Sequence, residues 1–324
     1  MTRCIHFAYA LAGDTPGRTL TGDDEIADAL AAPEPAWIHM QADDARTRDW
    51  IETHLAYLPE PVRAALLATD PRPRAVTHGD GVLVILRGVN LNPGAEPEDM
   101  ISIRLWVAEG RIVSVSLREL ASVHEMAAAI AAGQGPQRAG TLLCDLAERL
   151  QGRIETYVQN LDDLGDRLEV EVLQQPGPEL RATVTDTRGE IVDLRRFLLP
   201  QRDAAAALAQ SPAPVLDDHD RLRLSEVQDR LLRAVEEVEG LRERLVVVKD
   251  ELTTAMSDRL NRNLYLLSVI SAVFLPLGVL TGLMGINLAG MPGANWPPAF
   301  WVFTGLLCLI LAAQVALLRR LNWL

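Results

Sequence analysis

Leu264–Ile286 reads LYLLSVISAVFLPLGVLTGLMGI, 23 residues without one charged side chain. A helix needs ~20 apolar residues to cross a bilayer core of ~30 Å. A second charge-free run, Ala299–Leu318, has 20 residues. A pair of buried core helices would be apolar too, but the length of both runs and their position at the C-terminus favour two membrane spans. The short stretch 287–298 joins them.

Charge gives the spans a direction. Of the 31 bases and 44 acids in the 324 residues, four arginines and no acid lie beyond Asp258. Arg259 and Arg262 precede the first span, Arg319 and Arg320 follow the second, and the connection carries no charge. Basic residues mark the cytoplasmic side, so both chain ends are expected in the cytoplasm and the connection outside. Trp296 and Trp301, with Trp323 at the far end, suit the interfacial aromatic belts. The first eleven residues carry no signal-peptide pattern. Residues 1–258 retain 44 acids against 27 bases. So acidic a body repels nucleic acid and concentrates cations.

Residues 1–120 read as mixed α/β. Strands are expected at Cys4–Ala10, Ala36–Met40, Val82–Asn90, Ile101–Ala108 and Arg111–Leu117, the last two joined by a Glu109-Gly110 hairpin turn. Helices are expected at Asp23–Leu30, Ala45–Ala56 and Pro61–Ala68. The Asp70-Pro71-Arg72-Pro73 run reads as a break. Beyond Arg118 the pattern turns helical: Glu119–Ala132, Thr141–Leu173, Glu179–Gln210 with a potential interruption at Pro200, and then Leu216–Ile286 as one helix of ~105 Å.

That last helix has two faces. Leu224, Val227, Leu231, Ala234, Val238, Leu241, Leu245, Val248, Leu252 and Ala255 follow heptad spacing and form a packing seam. Within the span, Asn261, Leu264, Ser268, Ser271, Leu275, Gly278, Gly282 and Gly285 follow the same spacing but are small or polar. Such a stripe marks either a close helix contact or a water-filled path. Seam and stripe lie ~200° apart around the helix. Running the stripe backward by heptads reaches Asp250, Glu243, Glu236, Asp229 and Glu226. These acids form either a solvated face or a cation-concentrating vestibule.

The span closes with Gly285-Ile286-Asn287. A proline in mid-span (Pro276), a Gly-x-Asn at its outer end, a short loop and a second span ending Arg319-Arg320-Leu321-Asn322-Trp323-Leu324 together resemble the CorA-type divalent-cation transporters. The family hallmark is Gly-Met-Asn. The isoleucine here, with Leu288-Ala289-Gly290-Met291-Pro292-Gly293 after it, is similar to the zinc-transporting ZntB branch. The resemblance implies a funnel-shaped homopentamer in the cytoplasmic (inner) membrane: an α/β cytoplasmic domain (1–120), a helical region (121–215), the cytoplasmic part of a pore-lining helix (216–263), a first span (264–286), a periplasmic loop (287–298), a second span (299–318) and a cytoplasmic tail (319–324). It implies Gly285, Ile286 and Asn287 as the selectivity mouth, and Asn261, Leu264, Leu267, Ser268, Ser271, Leu275 and Gly278 at or beside the pore. Glu236, Glu243 and Asp250 are the vestibule candidates.

The chemistry fits. Hard divalent ions give up water reluctantly, and a ring of neutral Asn287 carbonyls can hydrogen-bond a hydrated ion without trapping it. No permanently bound cofactor is implied. The cargo is a divalent cation: Zn2+ by the Gly-Ile-Asn variant, alternatively Mg2+, Co2+, Ni2+ or Cd2+. His6, His39, His54, His78, His124 and His219 show no paired spacing, and Cys4, Cys144 and Cys308 form no ligand set. The chain has no nucleophile–base arrangement and no P-loop, so it reads as a transporter, not an enzyme. The reading from a different class is a membrane-anchored helical scaffold or sensor without ion flux.

Overall fold

The computed structural model describes residues 4–174, 176–286, 293 and 296–321. The elements, in chain order, are β1 (Ile5–Ala10), α1 (Asp23–Ala31), β2 (Ala36–Gln41), α2 (Ala45–His54), α3 (Glu60–Leu66), β3 (Arg74–His78), β4 (Gly81–Gly88), β5 (Ile101–Ala108), β6 (Arg111–Ser116), α4 (Ala121–Ala131), α5 (Ala139–Gln174), α6 (Pro178–Ala209), α7 (Asp218–Met284) and α8 (Ala299–Arg320). The chain divides into two compact units, Met1–Lys249 and Asp250–Leu324.

The first unit is built on a six-stranded sheet in the order β1-β2-β6-β5-β4-β3. Only the β2–β6 pair is parallel. Helices cover both faces: α1 and α3 contact one side, α5 and α6 the other. That is why every residue of β4 and β5 is buried. Strands covered on both faces read as continuous apolar runs instead of alternating ones. The β5–β6 hairpin turns at Glu109-Gly110 as the sequence suggests, with Ala108 opposite Arg111.

Two expectations change. β3 is a strand that the prolines before it conceal: Arg74–His78 is only five residues, lies at the sheet edge, and pairs with β4 through a turn in which Gly79 takes φ 59°. Pro200 does not interrupt α6. The turn after it is pinned to the sheet, because Gln201 accepts from Arg87 N–H at 2.6 Å and donates to Arg87 C=O at 2.9 Å.

Within this unit α7 packs along α5. Every seam residue from Leu224 to Val248 is 3% exposed or less. A Cβ on Gly165 of α5 would overlap Leu241 Cδ1, so the helices approach as closely as glycine allows. Arginines flank the seam: Arg223 bonds Glu148 at 2.8 Å, Arg230 bonds Glu155 at 2.7 Å, and Arg244 bonds Asp166 at 2.6 Å. Partners on α5 and α7 advance together, so the two helices run parallel. The heptad pattern therefore serves packing inside one chain.

Candidate functional site

The second unit contains the two apolar helices. Their most apolar windows have mean hydropathy 2.2 and 2.3, and only 6% of each window is buried. They are not core helices of this chain. Large side chains such as Phe274 (66% exposed), Phe300 (68%) and Trp301 (74%) would be intolerable in water at this density and suit lipid.

The two helices cover one narrow face of each other. On α7 the covered residues are Val269, at 7% exposure, and the half-buried Val273, Pro276, Leu277 and Leu280. On α8 they include Phe303, Leu307, Ile310, Gln314 and Leu318. Both sets repeat at three- and four-residue steps, as one helix stripe must.

The small and polar stripe lies elsewhere. Asn261, Leu264, Leu267, Ser268, Ser271, Leu275 and Gly278 are all exposed. At 100° per residue their centre falls roughly 160° from the centre of the α8-covered face. Thus α8 takes no part in covering the stripe. The Ser268 hydroxyl donates to Leu264 C=O at 2.9 Å, which leaves its oxygen lone pairs directed outward as acceptors. Leu264 and Leu275, 52% and 67% exposed, stand one turn before Ser268 and one turn after Ser271 on the same face.

At its C-terminal end α7 closes at Gly285, whose N–H is shared between Thr281 C=O at 3.0 Å and Gly282 C=O at 3.1 Å. Its φ lies outside the left-handed region, so this turn does not itself demand glycine. A Cβ there would sit 3.3 Å from Thr281 C=O, which is tight but not prohibitive. Ile286 is exposed. Asn287, the expected ion contact, lies outside the described residues.

Among the acids, Glu236 and Glu243 in the first unit and Asp250 in the second are exposed. Glu236 and Glu243 enter no ion pair among the described residues, whereas Glu239, between them in sequence, pairs with Arg195 and Arg242. His219 and Cys308 are exposed. Among the described residues no three His, Cys, Asp or Glu side chains gather as a metal cage. Within the charge-free stretch 264–286, the polar side-chain atoms on the stripe are hydroxyl oxygens, acceptors that suit an ion still carrying its water.

The model of the CorA-like Mg2+ transporter protein family matches residues 34–320. The zinc transport protein ZntB of Yersinia pseudotuberculosis serotype O:1b is 33% identical over 318 residues, which cover 98% of this chain and 95% of that protein. The divalent cation transporter CmaX of Pseudomonas aeruginosa is 36% identical over 326 residues, covering 99% and 97%. The solved structure of full-length CmaX superposes with a TM-score of 0.82, covering 99% of this chain and 98% of that one.

Proposed function

The chain belongs to the CorA-like Mg2+ transporter protein family and is a divalent-cation transporter, and we propose that its cargo is zinc, taken up through a homopentameric pore lined by the first span. One observation carries the pore reading: the small and polar stripe of α7 is exposed on the face away from α8. Two spans are too few to enclose a hydrophilic path, so several copies must surround an axis. The stripe is the surface that would be wasted in lipid and useful on that axis.

The rest of the assignment extends this reading. Asn261 stands at the cytoplasmic end of the path. Leu264 and Leu275 are constrictions that gate by excluding water, with Leu267 beside them, and Ser268, Ser271 and Gly278 line the wetted part. Gly285, Ile286 and Asn287 form the outer mouth. Glu236, Glu243 and Asp250 raise the local cation concentration on the cytoplasmic side. The arginines at the cytoplasmic ends of both spans support an inner-membrane protein with both termini inside and the loop in the periplasm. The preference for zinc is supported by the Gly-Ile-Asn mouth and by full-length similarity to a zinc transport protein.

The test is cation flux into liposomes that hold the purified protein. Zinc influx faster than magnesium influx is expected. Faster magnesium influx would replace the cargo but keep the pore, and no divalent flux at all would contradict both.

A further inference from the structure

We propose that Gln314 on α8 is a positioning residue for transport: its side-chain amide latches the first span at its proline by supplying the hydrogen bond that Pro276 removes. Pro276 lacks an N–H, so in a regular helix the carbonyl four residues back, Ala272 C=O, loses its donor. Gln314 Nε2 lies 3.5 Å from that oxygen. Pro276 is the single proline inside α7, so Ala272 C=O is the one carbonyl of the span that a proline deprives.

The donor is as isolated as the acceptor. In α8 the remaining polar side chains before the terminal arginines are Thr304, Cys308 and the indole of Trp301 near its start, more than three turns away. Thr304 satisfies itself by donating to Phe300 C=O at 2.9 Å. Gln314 has no such local solution. It sits on the α7-facing stripe between Ile310 and Leu318, where an unpaired amide is costly. Its Oε1 is buried without a partner among the described residues, so the Ala272 carbonyl is the one contact its amide makes. A carbonyl can only accept, so the NH2 end must face it, whichever way the amide is first drawn.

The consequence is mechanical. A proline in a membrane helix is tolerated when a neighbour satisfies the freed carbonyl. Here the neighbour is α8 of the same chain, so the turn at the proline is held by a tie between the two spans. The tie acts one residue beyond Ser271 and one turn before Pro276, between the serines and Leu275. It fixes the angle at which the stripe is presented, and it is neutral, so it neither titrates nor competes with the cation for charge.

This inference rests on the transport reading for its functional half alone. The experiment is a double-mutant cycle on the full chain: wild type, Gln314→Leu, Pro276→Ala and the pair, each measured for thermal unfolding midpoint in detergent and for zinc influx in liposomes. Pro276→Ala restores a backbone donor to Ala272 C=O. Gln314→Leu alone should slow influx about threefold, in line with interhelical hydrogen bonds in membranes, and lower the midpoint. In the Pro276→Ala background it should change neither. Equal losses in both backgrounds would overturn the latch, since a side chain that only fills space does not sense the proline. If Pro276→Ala alone stops influx, the midpoints still decide. A wild type without flux would sink the transport reading and leave the coupling of midpoints as the test of the latch.

Discussion

Val269 and Ser271 stand two residues apart on α7 and face opposite ways: Val269 is 7% exposed beneath α8, and Ser271 is exposed to the outside of the chain. That relationship separates two explanations of the small and polar stripe. If the stripe existed to let α8 approach closely, its serines and glycines would be covered. They are exposed instead, so the stripe is kept for whatever lies beyond the chain, which in a transporter is a neighbouring subunit or a wetted path.

Replacing Asn287 by alanine is expected to abolish zinc influx and leave the oligomer intact by size-exclusion chromatography. The neutral carbonyl is the proposed contact for a hydrated ion, and methyl groups offer no acceptor. A membrane-anchored scaffold would tolerate the change, so normal flux in Asn287→Ala would favour that reading.

The double replacement Glu243→Gln and Asp250→Asn should lower uptake at low ionic strength. The loss should shrink in 0.5 M salt, where the Debye length falls to roughly half its value at 0.1 M. Unchanged uptake at low salt would return both acids to an ordinary solvated face.

The seam of α7 makes a sharp contrast in stability. Leu245 is fully buried, whereas Val247, two residues on, is 58% exposed. Leu245→Ala should cost about 2–5 kcal/mol in the unfolding of the first unit. Val247→Ala should stay within ~0.5 kcal/mol. Comparable effects in a chemical denaturation series would show that the seam does not hold the chain together.

The sheet carries a pH dependence with a definite sign. Burial, and then the proximity of His6 and His124, push His39 down to about 3. In the unfolded chain it returns to about 6.5. Between these values the unfolded state binds the extra proton. Stability is therefore unaffected above ~6.5 and declines as pH falls toward 3, by up to ~1.4 kcal/mol per unit. The thermal midpoint should drop between pH 6.5 and pH 4.5, and His39→Gln should flatten that slope. An identical slope in the variant would refute the assignment.

Much of this architecture is legible in the chain because the strongest physical signals are local. Charge-free length marks the spans, and heptad spacing marks a seam whose members from Leu224 to Leu252 are buried in the fold. β3 escapes because five half-exposed residues at a sheet edge, behind Pro71 and Pro73, carry too little alternation to be distinguished from a loop. Pro200 reads as a break because the bonds that pin its helix come from Arg87, far away in sequence. The same distance hides the tie between Ala272 and Gln314. A lone amide in one span and a proline in the other are visible signals, but only packing shows that they meet. Likewise the stripe is visible in α7 alone, whereas the face α8 covers is not.

The most direct measurement is thiol accessibility in the assembled membrane protein. Cys4 and Cys144 are buried, and the exposed Cys308 can be replaced by alanine to give a quiet background. Single cysteines at 268, 271 and 275 should react in liposomes with a small water-soluble, membrane-impermeant thiol reagent, and the reaction should block zinc influx. A cysteine at 269 should stay inert. Inert cysteines along the stripe, or a reactive one at 269, would contradict the claim that the first span turns its serines toward a shared aqueous path.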